Sequence, residues 1–182
     1  MVDSEYDYLL RIIIVGDTNV GKSSLMTRFE KNVFYPDDWN LFPSSFMNKY
    51  EQFDDCFVRM MIWDGSKARR YNDLPTVGFL DKEIIMLVFD LSSRETFNHV
   101  DLWHTKAQKN TQKSTVFVLI GNKNDLPREV SDAEARQKAR MMSVTYVETS
   151  AKTGENIHTA FRINTEEAIQ NIRRNYDKLI KK

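Results

Sequence analysis

The stretch GDTNVGKS at residues 16–23 combines two glycines, a lysine and a serine at a spacing that suits phosphate binding. Gly16 and Gly21 allow the backbone to bend so that its amides point at phosphate oxygens. Lys22 offers a cation to the outer phosphates, and Ser23 offers a hydroxyl to Mg²⁺. An apolar run precedes the stretch and a helical pattern follows it, which is the context that a phosphate-binding loop requires. The pattern predicts a nucleoside di- or triphosphate site and does not specify the base.

A second polar motif, GNKND at residues 121–125, follows another apolar run and can select the base. The Asp125 carboxylate can accept hydrogen bonds from both N1–H and the 2-amino group of guanine, whereas adenine offers neither donor. We expect Asn122 to tie this loop to the phosphate loop and the aliphatic part of Lys123 to cover the base. The motif alone could equally be a polar turn. Together with the phosphate loop and with ETSAK at residues 148–152, it indicates guanine.

Short apolar runs, with helix-like stretches between them, must position these motifs. The runs are rich in Ile, Val and Phe and mostly continuous, which is typical of strands covered on both faces, as in parallel sheets. They occupy residues 9–16, 57–64, 83–90, 114–121 and 143–149. The alternation of strands and helices predicts an α/β doubly wound sheet with the polar motifs at its carboxyl edge.

One stretch departs from this pattern. FMNKYEQFDDCFVRM, at residues 46–60, places the turn-like pair Asp54-Asp55 between two extended pieces. This arrangement predicts one antiparallel hairpin joined to the otherwise parallel sheet.

Two pairs of residues match the spacing of a capping box at the start of a helix. Ser92 with Glu95 and Ser131 with Glu134 each have the required separation of three residues. Pro127 precedes the second pair, as expected for a loop that enters a helix. We therefore predict that one helix opens at each pair.

The segment of residues 155–182 has apolar residues at helical spacing, which predicts a final helix packed on the sheet. These residues are Ile157, Phe161, Ala168, Ile169 and Ile172.

Composition restricts the possible partners. Lys and Arg together number 26 in 182 residues, as do Asp and Glu, so no net charge favours nucleic acid. The single cysteine, Cys56, argues against a disulfide framework and is compatible with a reducing compartment. We expect one domain over residues 1–182 and a cytoplasmic monomer, either free or peripheral to endomembranes. Membrane attachment would be indirect or would need residues outside this chain, which could be part of a longer protein.

These motifs resemble those of the Ras superfamily of small GTPases, and most of all its Rab branch. The resemblance covers residues 8–176 and includes MMIWD, LVFDLSSRETFNHVDLW and ETSAKTGENI. It implies a P-loop G domain with a mixed, mostly parallel six-stranded sheet, one antiparallel strand and about five flanking helices. It also implies binding of GTP and GDP with Mg²⁺, and two switch loops that sense the γ-phosphate.

The resemblance assigns roles to residues at the matching positions. Ser23 would bind Mg²⁺ directly and Asp64 through water, Lys22 would contact the phosphates during catalysis, and Phe34 would place an aromatic edge against guanine. Phe34 could also be an ordinary core residue. The expected nucleotide-binding residues are Gly16, Asp17, Thr18, Asn19, Val20, Gly21, Lys22, Ser23, Ser24, Phe34, Asn122, Lys123, Asp125, Ser150, Ala151 and Lys152. The last three would close the far side of the base, chiefly through backbone amides.

The first switch departs from the family pattern. The family threonine that reaches Mg²⁺ and the γ-phosphate falls on Leu41, which has no side-chain oxygen to offer a hard cation. Ser44 and Ser45 are the nearby hydroxyls and are more readily explained as ordinary loop or strand serines. A family glycine has become Pro43, which fixes φ and removes an amide. We therefore expect a first switch that stays away from Mg²⁺.

The second switch, in WDGSKARRY at residues 63–71, departs in the same direction. The family glycine whose amide meets the γ-phosphate falls on Lys67, and the glutamine that orients the attacking water falls on Ala68. Lys67, Arg69 or Arg70 could supply a compensating charge, although a solvated basic run is the simpler interpretation. Three features that sense the γ-phosphate are absent together, so we expect slow intrinsic hydrolysis.

Two functional hypotheses follow. The first is a Rab-like GTPase with atypical switches that acts in vesicular traffic or signalling. The second is a pseudo-GTPase binding module, in which nucleotide stabilises the fold and function lies in contacts with other proteins. An ATP-using enzyme is disfavoured by Asp125. His99, His104 and His158 lie in helical stretches with no nucleophile nearby, and we assign them no catalytic role.

Overall fold

A mixed β-sheet organises the part of the chain that the computed structural model describes, residues 6–36, 46–65 and 76–180. Six strands join in the order β2-β3-β1-β4-β5-β6. From β1 to β6 they are Tyr8–Val15, Phe46–Phe53, Cys56–Asp64, Ile84–Asp90, Val116–Asn122 and Thr145–Glu148. β2 is antiparallel to β3, and the other neighbouring pairs are parallel. The predicted sheet, mostly parallel with one antiparallel strand, is confirmed.

Five α-helices connect or follow these strands within the described ranges, as expected. From α1 to α5 they are Lys22–Lys31, Arg94–Asn98, Val100–Gln108, Asp132–Met142 and Ile157–Ile180. A short 3-10 helix, Thr76–Phe79, precedes β4. No helix in the described ranges is both long enough and apolar enough to cross a membrane.

The sheet is covered on both faces, because successive side chains of a strand point to opposite sides. On one face, Ile12 and Ile14 belong to a buried cluster with Phe29 of α1 and Phe161 of α5. The rings of Phe29 and Phe161 stack with their centroids 3.9 Å apart. Because Phe161 shares this cluster with Ile12 and Ile14 of β1, the prediction that the C-terminal helix packs on the sheet is confirmed. On the other face, a second cluster includes Trp103 of α3 together with residues of α4.

The pattern of side-chain burial along a strand depends on the position of that strand in the sheet. All seven residues of the central strand β4 are buried, as a continuous apolar run predicts. In β3, by contrast, burial alternates, with Val58, Met60 and Ile62 buried and Met61 and Trp63 only partly so. β3 lies next to the edge strand β2. The expectation of two covered faces is therefore correct for β4 and wrong for β3.

The predicted hairpin is present, with its turn at the expected residues. Phe53 pairs with Cys56 across the Asp54-Asp55 turn, and the antiparallel register continues to Phe46 opposite Trp63. Arg173 of α5 donates a hydrogen bond to the Asp55 carboxylate over 2.9 Å. The hairpin tip is thereby joined to the C-terminal helix.

Of the two predicted capping boxes, the one before α4 is confirmed. The Ser131 hydroxyl accepts a hydrogen bond from the Glu134 backbone N–H, and the Glu134 carboxylate accepts one from the Ser131 backbone N–H. Arg94 also donates to this carboxylate over 2.6 Å. The Arg94 guanidinium, followed by the Ser131 hydrogen bonds, lowers the pKa of Glu134 to about 2.

The capping box predicted at Ser92 and Glu95 is wrong. Helix α2 begins at Arg94 after Ser93, whose side chain makes no capping bond; the Arg94 backbone N–H donates to the Glu129 carboxylate over 2.7 Å. The Ser92 hydroxyl donates instead to the Asp90 carboxylate over 2.6 Å. The Ser92 backbone N–H also donates to this carboxylate, over 2.8 Å, so a local turn with Asp90 competes with the predicted capping box.

Replacement of Ser131 by alanine should destabilise the protein by about 1 kcal/mol, because it removes the acceptor for a helix N–H. Ser131→Thr keeps a hydroxyl and serves as the matched control, with a free energy of unfolding close to that of the unmodified chain. Urea unfolding followed by circular dichroism measures both. Equal stability of the alanine and threonine variants would contradict a stabilising cap.

Candidate nucleotide-binding site

The polar motifs singled out in the sequence meet at one edge of the sheet. The loop of residues 16–21 connects β1 to α1, and residues 123–125 directly follow β5. Residues 149–152 follow β6. The carboxyl ends of parallel strands share one edge, where ligands bind in open α/β sheets. The structure therefore brings the three expected loops together.

The two glycines of the loop have backbone conformations and neighbours that require glycine. Gly16 has φ 145°, and a Cβ there would lie 2.0 Å from the Val88 carbonyl oxygen. Gly21 has φ 97°, and a Cβ there would lie 2.3 Å from Nδ2 of Asn122. The loop thus packs closely against the ends of β4 and β5, as a backbone cradle for phosphate requires.

Lys22 places a buried cation at the centre of this loop. Lys22 is the first residue of α1. Its Nζ donates to the carbonyl oxygen of Gly16, over 2.9 Å, and to that of Asp17, over 2.5 Å. Burial lowers the pKa of Lys22 to about 8, against the opposing attraction of Asp64 and Asp17. A helix N-terminus adds positive potential at the same place. An anion bound here would meet a desolvated and oriented cation.

Ser23 and Asp64 form an oxygen pair beside the lysine. The Ser23 hydroxyl, in the first turn of α1, donates to Oδ2 of Asp64, at the end of β3, over 2.5 Å. Hydroxyl and carboxylate oxygens suit Mg²⁺, which takes few protein ligands and completes its shell with phosphates and water. In the described parts of the chain, no group of three or more His, Cys, Asp or Glu could hold a metal alone. The pair therefore fits Mg²⁺ only if a nucleotide supplies further ligands.

Asn122 joins the three loops. Its Nδ2 donates to the Val20 carbonyl oxygen over 2.9 Å. Its Oδ1 accepts from the Thr149 hydroxyl, over 3.1 Å, and from the Ala151 backbone N–H, over 3.2 Å. The side chain is 1% exposed. The expected link from the GNKND loop to the phosphate loop is present, and it extends to the loop after β6.

Asp125 lies where the second and third loops meet. Its Oδ1 accepts a hydrogen bond from the Ser150 hydroxyl over 2.6 Å. Its Oδ2 is 4.0 Å from Nζ of Lys152. The neighbouring Lys123 reaches the Asp90 carboxylate, with 2.6 Å between Nζ and Oδ2. Asp90 is a site neighbour that the sequence analysis missed, although an acidic residue that closes a buried strand was a signal.

Arg28 is a second missed residue. From α1 it donates through Nε to the Ala151 carbonyl oxygen, over 2.8 Å, and through NH2 to that of Lys152, over 2.6 Å. These bonds fix the loop after β6 against α1. No local pattern in the sequence pointed to this role, because the partners lie 123 and 124 residues away.

Asp17 has partners that were also missed. Its Oδ1 accepts from Nε1 of Trp103 over 2.8 Å, and its Oδ2 lies 2.5 Å from Nδ1 of His99. The histidine that the sequence analysis left without a catalytic role therefore contacts the phosphate loop. His104 packs edge-on against Phe117.

The remaining expected residues vary in exposure. Val20 is fully buried, Thr18 and Asn19 are exposed, and Ser24 is partly buried. Phe34 is partly buried and packs against the core cluster that holds Phe29 and Phe161. The switch residues singled out in the sequence lie outside the described residues; they are Leu41, Pro43, Ser44, Ser45, Lys67, Ala68, Arg69 and Arg70.

Comparison with known proteins agrees with the geometry of this site. The sequence model of the Ras family matches residues 11–171. A Ras-related protein Rab-11B of Dictyostelium discoideum is 33% identical over 159 residues, which is 86% of this chain and 72% of that protein. A Ras-related protein Rab-27B of Bos taurus is 35% identical over 173 residues, or 88% of this chain and 79% of the relative.

A plant protein shows the same degree of similarity. The Ras-related protein RABA1c of Arabidopsis thaliana is 32% identical over 161 residues, which cover 87% of this chain and 74% of that protein. The similarity thus extends across relatives from an amoeba, a mammal and a plant. The family match spans most of the chain, whereas two thirds of the aligned positions differ from these relatives. The chain therefore belongs to the Ras family, as a divergent Rab-like small GTPase.

Proposed function

We propose that this protein binds GTP and GDP with Mg²⁺ through atypical switch regions and hydrolyses GTP slowly when unaided. The observation that carries the proposal is the Asn122 side chain, which links the loop of the buried Lys22 to the loops of Asp125 and Ala151. One side chain thereby couples a candidate phosphate site to a candidate base site. The Rab relatives favour a role in vesicular traffic.

Phosphate recognition would rest on residues 16–24. The glycine-dependent backbone presents amides, and Lys22 supplies a cation whose contacts in this structure are neutral carbonyls. A bound phosphate would replace weak dipole contacts with a full opposite charge in a buried setting, where such an interaction is strong. Burial disfavours the charged ammonium and lowers the pKa of Lys22 to about 8, and a bound anion would offset this effect.

Base recognition would rest on Asp125 with the loop after β6. Ser150 already orients this carboxylate by a hydrogen bond to Oδ1. The carboxylate can still accept from guanine N1–H and the 2-amino group, because an ionised carboxylate offers about four acceptor sites. The backbone of Ala151 and Lys152, which Arg28 fixes from behind, would close the other side of the base.

Mg²⁺, when bound, would neutralise charge on the phosphates and orient them. Ser23 would hold it directly and Asp64 through water, as the family resemblance implies; the two oxygens lie 2.5 Å apart. The metal would depend on the nucleotide for further ligands, as Mg²⁺ sites commonly do.

Slow hydrolysis follows from three substitutions in the switches. Leu41 offers no oxygen to the metal, Lys67 carries a Cβ where the family uses glycine, and Ala68 cannot orient a water. Each position serves the γ-phosphate or the attacking water, and the phosphate and base loops are unaffected. The protein would hold guanine nucleotide well and respond weakly to its third phosphate.

A binding module with structural nucleotide is the second candidate. The hydrogen bonds of Asn122 and Arg28 join loops that are far apart in sequence, so a nucleotide seated among them would stabilise the whole domain. In that case the protein would be a cytoplasmic or endomembrane-associated partner of other proteins and not a catalyst.

The protein purified under native conditions should contain guanine nucleotide, identifiable by chromatography after denaturation. Asp125→Asn should weaken GDP binding at least about 100-fold, because an amide offers a donor where guanine also has donors. It should also improve binding of xanthosine diphosphate, whose 2-oxo group accepts that donor. Titration calorimetry measures both affinities.

Asp54→Asn is the matched control for Asp125→Asn, since the Asp54 side chain is 98% exposed at the hairpin tip. It should leave both affinities unchanged. Loss of GDP binding without any gain for the xanthine nucleotide would show that Asp125 does not contact the base.

Single-turnover hydrolysis of GTP with Mg²⁺ should be slow but measurable. Ala68→Gln should accelerate it about tenfold or more, because the glutamine can orient the attacking water. Asn72→Gln introduces the same side chain four residues away and should have no effect. A rate equal to that of glutamine-bearing Rab proteins before any substitution would contradict the proposed roles of Leu41 and Ala68. No hydrolysis in either form would favour the binding module.

A further inference from the structure

The Asp17 carboxylate is held by two side chains that do not belong to the phosphate loop. Trp103 of α3 donates through Nε1 to Oδ1 over 2.8 Å, and Nδ1 of His99 lies 2.5 Å from Oδ2. An ionised carboxylate only accepts hydrogen bonds, so Nδ1 must be the protonated ring nitrogen. Each carboxylate oxygen of Asp17 therefore has a donor from the polypeptide after β4.

The backbone of Asp17 has a separate task. Its carbonyl oxygen accepts a hydrogen bond from Nζ of Lys22 over 2.5 Å. Residue 17 is thus fixed at its side chain by His99 and Trp103, and at its backbone it holds the lysine. Because few rotatable bonds separate the carboxylate from the backbone, a fixed carboxylate restricts the positions open to the carbonyl that contacts the ammonium.

The two donors are themselves well anchored. Trp103 is 2% exposed and belongs to the core cluster that contains Ile13 and Val15 of β1. His99 lies between α2 and α3, where its backbone N–H donates to the Glu95 carbonyl oxygen over 3.2 Å. Rigid elements place polar groups more reproducibly than loops do. The Trp103 contact therefore connects the phosphate loop to the core, and His99, whose side chain is 39% exposed, adds a second bond from the junction of α2 and α3.

The hydrogen bonds to Asp17 also affect the electrostatic potential of the phosphate loop. Asp17 places a negative charge in the loop where phosphates would bind, and like charges repel strongly in a partly buried setting. The hydrogen bonds of His99 and Trp103 fix the carboxylate on the α2–α3 side and spread its charge over two donors. Without them the carboxylate would be free to turn toward a bound phosphate.

We propose that His99 and Trp103 are positioning residues that act through Asp17 to hold the phosphate loop ready for a nucleoside diphosphate. This proposal rests on the proposed binding of guanine nucleotide. It concerns the phosphates and not the base, because the contacts reach Lys22 and none of the base-loop residues. His99 and Trp103 should therefore affect the ratio of GDP affinity to GMP affinity.

The test compares GDP and GMP binding by titration calorimetry in His99→Ala, His99→Asn and Trp103→Phe. His99→Ala and Trp103→Phe should each lower the ratio of GDP to GMP affinity about tenfold, the effect of losing one hydrogen bond to a charged group. His99→Asn should restore most of the ratio, because its amide N–H can take the place of Nδ1. Trp103→Phe would leave a cavity in the core, so the two His99 variants decide the outcome if it fails to fold.

Asp101→Asn is the matched control, because Asp101 lies on α3 and pairs with Lys138 of α4 away from Asp17. It should leave the ratio unchanged. An equal loss of GDP and GMP affinity in His99→Ala would show a general structural role and overturn the inference, as would an unchanged ratio. If the unmodified protein binds neither nucleotide, the proposed function itself is wrong. This outcome differs from a result in which the unmodified protein binds GDP and the His99 variants leave the ratio unchanged.

Discussion

The burial of a single cation, the Lys22 ammonium, is the constraint on which the rest of the site depends. A buried ammonium without partners would lose its charge, and here the carbonyl oxygens of Gly16 and Asp17 stabilise it. Those carbonyls can reach the lysine only because the loop turns sharply at glycines that a Cβ would obstruct. The loop follows the buried carboxyl end of β1, and Gly16 packs against the carbonyl oxygen of Val88 in the neighbouring strand β4.

Neighbouring groups then fix the loop from three directions. Asn122 holds the Val20 carbonyl from the end of β5, Ser23 binds Asp64 at the end of β3, and Trp103 binds Asp17 from α3. Each of these bonds joins the loop, or the first turn of α1 that follows it, to a strand end or a helix that the hydrophobic core positions. The polar contacts therefore depend on core packing, because a displaced strand or helix would move the side chains that hold the loop.

The proposed changes in the switches concern a different part of the chemistry. The phosphate and base loops make the contacts described above, whereas Leu41, Lys67 and Ala68, which the family resemblance places at the third phosphate and the attacking water, lie outside the described residues. The proposed weak response to the third phosphate therefore follows from residue type alone at these positions. Membership of the Ras family, at about one-third identity to Rab proteins, is compatible with such substitutions.

The sequence by itself determined the features that depend on local spacing. The strand pattern, the Asp54-Asp55 hairpin, the Ser131 cap and the clustering of three polar loops at one sheet edge all follow from periodicity and residue type. Only the tertiary structure decided which distant groups share a hydrogen bond. Arg28 donates to the Ala151 carbonyl oxygen 123 residues away, and Asp17 has partners 82 and 86 residues away. Such contacts depend on how the helices pack on the sheet, which no local sequence pattern specifies.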